Sequence, residues 1–224
     1  MERRGRRAAA AWVRIGGRSM SRLWKLRARR RLGDRGAALV EMILFTPILV
    51  MIAIGILEFG LAWRDSITVS STTRAGARVG SNAGNDRMAD YNTLLAVQAA
   101  VASIPNAQIN KVVIYKSTRT DGVVPPECTT ATGGVDSGGV QCNVYTGAQL
   151  ASLASTQFST SGSTCSAGSP DVSWCPLGRQ SQQSAGADYL GVWISVSHPY
   201  VTRIFPGSGL TITDSAVMRL EPSV

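Results

Sequence analysis

Three residues at the start of a long apolar run, Gly36, Ala37 and Glu41, have types and spacing that could do chemistry. Gly36 follows Arg35 and precedes the run, where a small residue exposes a peptide bond to a peptidase working at the basic side of the segment. Hydrolysis between Gly36 and Ala37 would discard everything before it and leave a new α-amino group on Ala37. Glu41 lies about 7–8 Å farther along a helix. A carboxylate inside an apolar run points to a function and to a cationic partner. Two readings stand for it: pairing with the Ala37 ammonium of a neighbouring subunit, or snorkelling unpaired to the interface.

The element that must position these groups is the run itself. Residues 37–63 contain two charged residues before the terminal Arg64, Glu41 and Glu58. As a helix this stretch would be about 40 Å long, more than the roughly 30 Å hydrocarbon core of a bilayer. It is too long for the apolar region of a secretory signal, and "LAWRDS" at its far end lacks a small-residue cleavage site. Pro47 removes one helical hydrogen bond, which neighbouring helices can compensate in a membrane. It reads either as a kink for packing against other subunits or as simply tolerated. Glu58, near the outer boundary, reads as interfacial.

Charge gives the orientation. Of the 23 Lys+Arg, 13 fall in residues 1–36, beside only Glu2 and Asp34, while residues 37–224 hold 12 of the 14 acidic residues. A basic flank stays in the cytoplasm, so residues 1–36 form a cytoplasmic leader or tail, 37–63 a transmembrane helix and 64–224 an extracytoplasmic domain. The tail, including "RLWKLRARRRLGDR", reads as a topology signal meeting anionic headgroups rather than as a nucleic-acid patch. A second start at Met20 would shorten it.

Cys128, Cys142, Cys165 and Cys175 all lie in the exported part, and an even count there predicts two disulfides. Closure of short loops favours the sequential pairing, Cys128–Cys142 with Cys165–Cys175. The absence of a C-x-x-C pair and the distance to His198 argue against zinc.

The segment "RGAALVEMILFTPILVMIAIGILEFGLAW", with the following "TRAGARVG" at residues 73–80, resembles the N-terminal region of TadE-like proteins, pilin-related components of tight-adherence (Flp-type) pilus systems. The quoted residues include Gly36, Glu41, Pro47 and Glu58-Phe59-Gly60, and "VMRLE" at 217–221 is similar to the family's C-terminal strand. The resemblance implies cleavage by a prepilin peptidase after Gly36, which would put Glu41 at the fifth mature position. It also implies other pilin-like subunits and an inner-membrane assembly platform as partners, besides the bilayer. Met42 stands where the Flp-type motif commonly has an aromatic residue.

Beyond the span, residues 64–80 are expected to continue the helix outward, with a break across "GSNAGN" at 80–85. Asp90 is expected to cap a helix that Pro105 ends, whose apolar stripe is Leu94, Val97, Val101 and Ile104. Strands are expected at 109–117, 191–200 and 210–220, the last two as an antiparallel pair joined through "FPGSG" at 205–209. The fold class is therefore α+β: the N-terminal transmembrane helix leads into a small antiparallel sheet domain with a packed helix. Residues 118–188, rich in Ser, Thr and Gly, read as a disulfide-stapled insert, serving recognition or merely tolerated.

No catalytic order of residues emerges. His198, the lone histidine, reads as a surface or half-buried structural residue, and Asp121, Glu127, Asp136 and Asp171 share no binding spacing. No cofactor, metal, catalytic residue or nucleic-acid partner is expected. Two functions remain: a single-pass pilin-like structural component of pilus biogenesis or a related secretion apparatus, incorporated into a surface pilus, or an uncleaved anchor displaying the insert as a binding module.

Overall fold

The computed structural model describes residues 20–104, 108–118, 121–182, 184, 186–202 and 206–222, the first 16 of these by backbone alone. Residues 1–19 of the basic tail, the helix stop Pro105 and Phe205 of the connector lie outside the described residues. The chain forms α+β architecture in two compact units, up to Ala53 and from Ile54 onward.

Helix α1, Met20–Ala83, is 64 residues long and contains Pro47 without a break. The expected interruption at residues 80–85 shifts: α1 runs through Gly80 and stops where Gly84 takes φ 55°. That left-handed turn is a glycine's natural helix end. Gly80 stays helical because it faces a crowded surface. A Cβ there would sit 2.8 Å from Thr93 Oγ1 and 3.1 Å from Leu190 Cδ2.

In the second unit, α1 shows a buried stripe at Glu58, Asp65, Val69, Thr72, Thr73, Gly76, Ala77, Gly80 and Ser81, the three-and-four spacing of one helical face. Val69 and Ala77 join a core with α2 (Ala89–Val101) and the sheet. The expected stripe of α2 lies in this core: Leu94, Val97, Val101 and Ile104 are all buried. Its start differs from expectation. Met88 is the N-cap, and Asp90 is buried in the first turn.

The sheet has the order β2-β3-β1-β6-β7 and is antiparallel at every pairing. Its strands are β1 (Gln108–Ser117), β2 (Val135–Ser137), β3 (Val140–Thr146), β6 (Tyr189–Pro199) and β7 (Gly209–Arg219). The two long last strands pair from Tyr189↔Arg219 to Pro199↔Gly209, the expected hairpin. Val192, Ile194 and Val196 of β6 face the helices beside Ile212, Ala216 and Met218 of β7, while Trp193 faces a second cluster on the other side.

The segment 118–188 is not a structureless insert. It supplies β2 and β3 and the short helices α3 (Pro126–Thr130) and α4 (Gly147–Ala151), plus the pair β4–β5 (Thr160–Ser161, Thr164–Cys165). Gly138 and Gly139, at φ 61° and 82°, make the two-residue turn between β2 and β3. β3 then pairs with β1 from Lys111↔Thr146 to Tyr115↔Cys142. The disulfides are Cys128–Cys142 and Cys165–Cys175, the sequential pairs. The first ties α3 to β3 in the second cluster with Val113, Tyr115 and Val144.

Burial of polar groups locks this segment to α2. The Asp90 carboxylate accepts hydrogen bonds from Asn143 Nδ2 (2.8 Å), Tyr145 Oη (2.7 Å) and Arg179 Nη2 (2.6 Å). The Asp90 and Arg179 side chains are fully buried, and the guanidinium stacks 4.0 Å from the Trp174 ring. Burial, and then the Asp90 charge, push the Tyr145 hydroxyl well above its ordinary pKa, so it remains a donor.

Candidate functional site

The residues singled out for processing and assembly share one helical stretch. Gly36, Ala37, Glu41 and Pro47 all lie on α1 at exposed positions. Ala37 and Glu41, four apart, share one helical face, whereas Pro47 points elsewhere around the axis. Gly36 has no atom within 4 Å of a built Cβ. Glu41 has no hydrogen-bond or ion-pair partner among them. Around these residues the apolar side chains are bare: Ile43 is 73% and Leu44 67% exposed. At Pro47 the ladder lacks one N–H, and the neighbouring Thr46 hydroxyl donates to the Met42 carbonyl at 2.5 Å.

Farther along the same helix, the acidic residues are engaged. Glu58 is not an open interfacial charge: it is 4% exposed. Its carboxylate accepts the Thr202 amide and hydroxyl, each at 2.6 Å, and the Val201 amide at 3.3 Å. The reason is the length of the β6–β7 hairpin, whose end reaches this level of α1. Seven residues on, Asp65 Oδ2 lies 2.6 Å from His198 Nδ1, both residues being buried. His198 is thus more enclosed than a surface or half-buried residue, and its Nε2 is buried without a hydrogen-bond partner. The imidazole thus joins sheet to helix.

The joint closes at the helix end. Ser81 Oγ donates to the Arg219 carbonyl at 2.5 Å and Ser81 O accepts the Glu221 amide at 3.0 Å. Thr73 Oγ1 donates to Val69 O at 2.6 Å and also reaches Asp214 Oδ2 at 3.3 Å. Gly76 brings the helices together, since a Cβ would meet Val97 Cγ2 at 2.9 Å. "TRAGARVG" is therefore a packing motif, with Thr73, Gly76, Ala77 and Gly80 inward and Arg74 and Arg78 outward.

Among the described residues no group of three His, Cys, Asp or Glu side chains is placed to hold a metal. The four cysteines are in disulfides. The scattered acids do not converge. Asp171 is buried, its carboxyl raised above the usual carboxylate range by burial. Asp121 lines an open groove with Trp193 and Ser215, and Glu127 and Asp136 are exposed in α3 and β2. Sequence reasoning missed Thr202, Arg179 and Asn143. Each partners an acid more than 50 residues away, a relation for which one sequence carries no signal.

The class defined by these features is an α+β protein carrying one helix long and apolar enough to cross a membrane, its most apolar stretch wholly unburied. The family model described as TadE-like protein matches residues 36–78. The match starts at Gly36 and ends within the packing motif. No curated protein and no solved structure matches the chain.

Proposed function

We propose that the chain is a single-pass, pilin-like structural component of tight-adherence pilus biogenesis or a related secretion apparatus, with its N-terminus cytoplasmic and residues 64–224 outside. The observation that carries this reading is the unburied apolar stretch of α1 within the TadE-like match. A helix that buries none of this surface against its own domain is suited to lipid first and to other helices afterwards. In this reading a prepilin peptidase removes residues 1–36, and the Ala37 ammonium of one subunit pairs with Glu41 of its neighbour to set the register of assembly. Partners are the bilayer, other pilin-like subunits and the inner-membrane platform. The joint of α1 with β6 and β7 transmits the position of the helix to the exported domain.

Mass spectrometry of the mature protein tests it. An N-terminus at Ala37, free or methylated, is the expected result. An intact basic tail would favour an uncleaved anchor that displays its disulfide-bonded segment to another envelope component. The Glu41→Gln variant is expected to insert normally yet fail to assemble, and normal piliation in that variant would remove Glu41 from the mechanism.

A further inference from the structure

The strands of the sheet alternate in direction at every pairing, so its two edges, β2 and β7, run the same way. The Leu220 amide donates to the Asp188 carbonyl, which fixes the alternation along β7. Leu220 and every second residue before it bond to β6, while Thr211, Thr213 and Ser215 turn their N–H and C=O groups outward. At the other edge, the two-residue turn makes Ser137 and Val140 the bonded pair, so the backbone of Asp136 faces outward. The two ends also differ in charge. α1 lies over β6 and β7, with Gly76 facing Val192 and Thr73 reaching Asp214. Its outward face carries Arg64, Arg74 and Arg78, all exposed, and the only acid from residue 59 to 85 is Asp65, buried against His198. Glu221, at the end of this face, offsets the exposed Arg219 two residues before it, and Asp121 lies in the groove with Trp193 on the other face of the sheet. The β2 end is acidic. Glu127 and Asp136 are exposed there, brought together because Cys128 is bonded to Cys142 and Val135 pairs with Cys142. Lys111, the cation at this end, is half-buried with its ammonium turned in to the carbonyls of Thr129 and Ala131. None of the three arginines or two acids has an ion pair among the described residues.

From this we propose that copies of the chain meet head to tail, edge to edge. The β7 edge and the arginine face of α1 of one copy receive the β2 edge, with Asp136 and Glu127, of the next. The inference rests on the reading of the chain as a subunit that assembles with others through α1. The occupant is a second copy because the two ends complement each other twice, in strand direction and in charge. β7 runs alongside α1, from Asp65, which bonds to His198 opposite Leu210, to Ser81, which bonds to Arg219. Copies inserted the same way up therefore bring β7 and β2 together as parallel neighbours. The competing contact, β7 against β7 under two-fold symmetry, is antiparallel and would turn the partner's α1 upside down. A contact between two different patches repeats from copy to copy, as a filament requires.

The test is photocrosslinking of the full chain in its own cell envelope, with a benzophenone side chain placed at Thr213, which is exposed on the β7 edge. The expected product has twice the mass of the chain, and mass spectrometry places the link within residues 126–141 of the second copy. A link from 213 to β7 of the second copy, a link only to a different protein, or no link overturns the proposal. The same probe at Leu44, in the apolar stretch, keeps the two readings apart. Links between copies from 44 but not from 213 overturn the edge contact and leave assembly through α1 intact. Links from neither site overturn both. Charge is tested by exchange. Arg74→Glu with Arg78→Glu is expected to lower the yield from 213 about fivefold, as is Glu127→Lys with Asp136→Lys. All four changes in one chain are expected to restore it. Unchanged yields in the paired variants, or no recovery when the four are combined in a chain whose urea midpoint is unaltered, remove the charges from the contact and overturn it as proposed.

Discussion

Two halves of one helix obey different rules. Residues 36–53 are exposed at every position, and their apolar side chains follow no periodic pattern. From Glu58 onward the same helix buries one stripe at three-and-four spacing, and that stripe is made of Gly, Ala, Ser, Thr, Glu and Asp with a single Val. The apolar half finds no partner among the described residues of its own chain. The polar half is built to fit one partner, because small residues permit close approach and each buried polar group needs a specific bond. Hydrophobicity and burial are thus inverted along α1, which a simple rule of apolar residues inside would not anticipate.

The strongest way to break the specific half is to remove one member of its deepest ion pair. Asp90→Ala strands the Arg179 guanidinium in the interior, and unpaired buried charges cost about 3–5 kcal/mol. Urea unfolding followed through Trp174, which stacks on Arg179, is expected to show a loss of that size. Replacing Cys128 and Cys142 together by serine opens a loop of 14-residue separation, with an expected loss of about 3 kcal/mol in the same measurement.

A matched pair of glycines sharpens the contrast directly. Gly80→Leu must displace Thr93 and Leu190, an overpacking expected to cost about 1–3 kcal/mol. Gly60→Leu meets no atom within 4 Å and is expected to change domain stability by less than about 0.5 kcal/mol. Equal effects at the two sites would erase the distinction between the halves.

The smallest expected effect is on pH dependence. Burial raises the folded-state pKa of Asp171 above its ordinary 3.8. Its contribution to stability is therefore fully present below the ordinary value and is lost as pH rises through the raised one. Asp171→Asn should flatten the stability profile across that window, as measured by urea midpoints at successive pH values.

Periodicity carried much of the fold. The stripe Leu94, Val97, Val101 and Ile104 and the alternation of β6 and β7 each answer to a single face of a single element, so local sequence suffices. β3 shows the limit. Its Val140, Cys142 and Val144 do alternate with Gln141, Asn143 and Tyr145, but the second set also points into the protein, where Tyr145 joins the main core and Asn143 and Tyr145 both bond to the buried Asp90. Set within Ser, Thr and Gly, such a strand has the composition of a loop. Asp90 itself, at a helix start, resembles a cap until its distant partners are known. For the candidate site, the placement of Gly36, Ala37, Glu41 and Pro47 along one helix was legible, since it requires only the helical repeat. The engagement of Glu58 was not, because it depends on how far a hairpin 144 residues later extends.

The joint at Ser81 sets an order of manufacture. The surface of α1 that bears Val69 and Ala77 is made early, yet the strands that cover it, β6 and β7, lie far later in the chain. Throughout synthesis of the intervening cysteine-bearing stretch this helical face is covered by α2 alone, and a product lacking β6 and β7 would offer proteases a partly unguarded stem. Completion of the β6–β7 hairpin is the step that closes the core over this face.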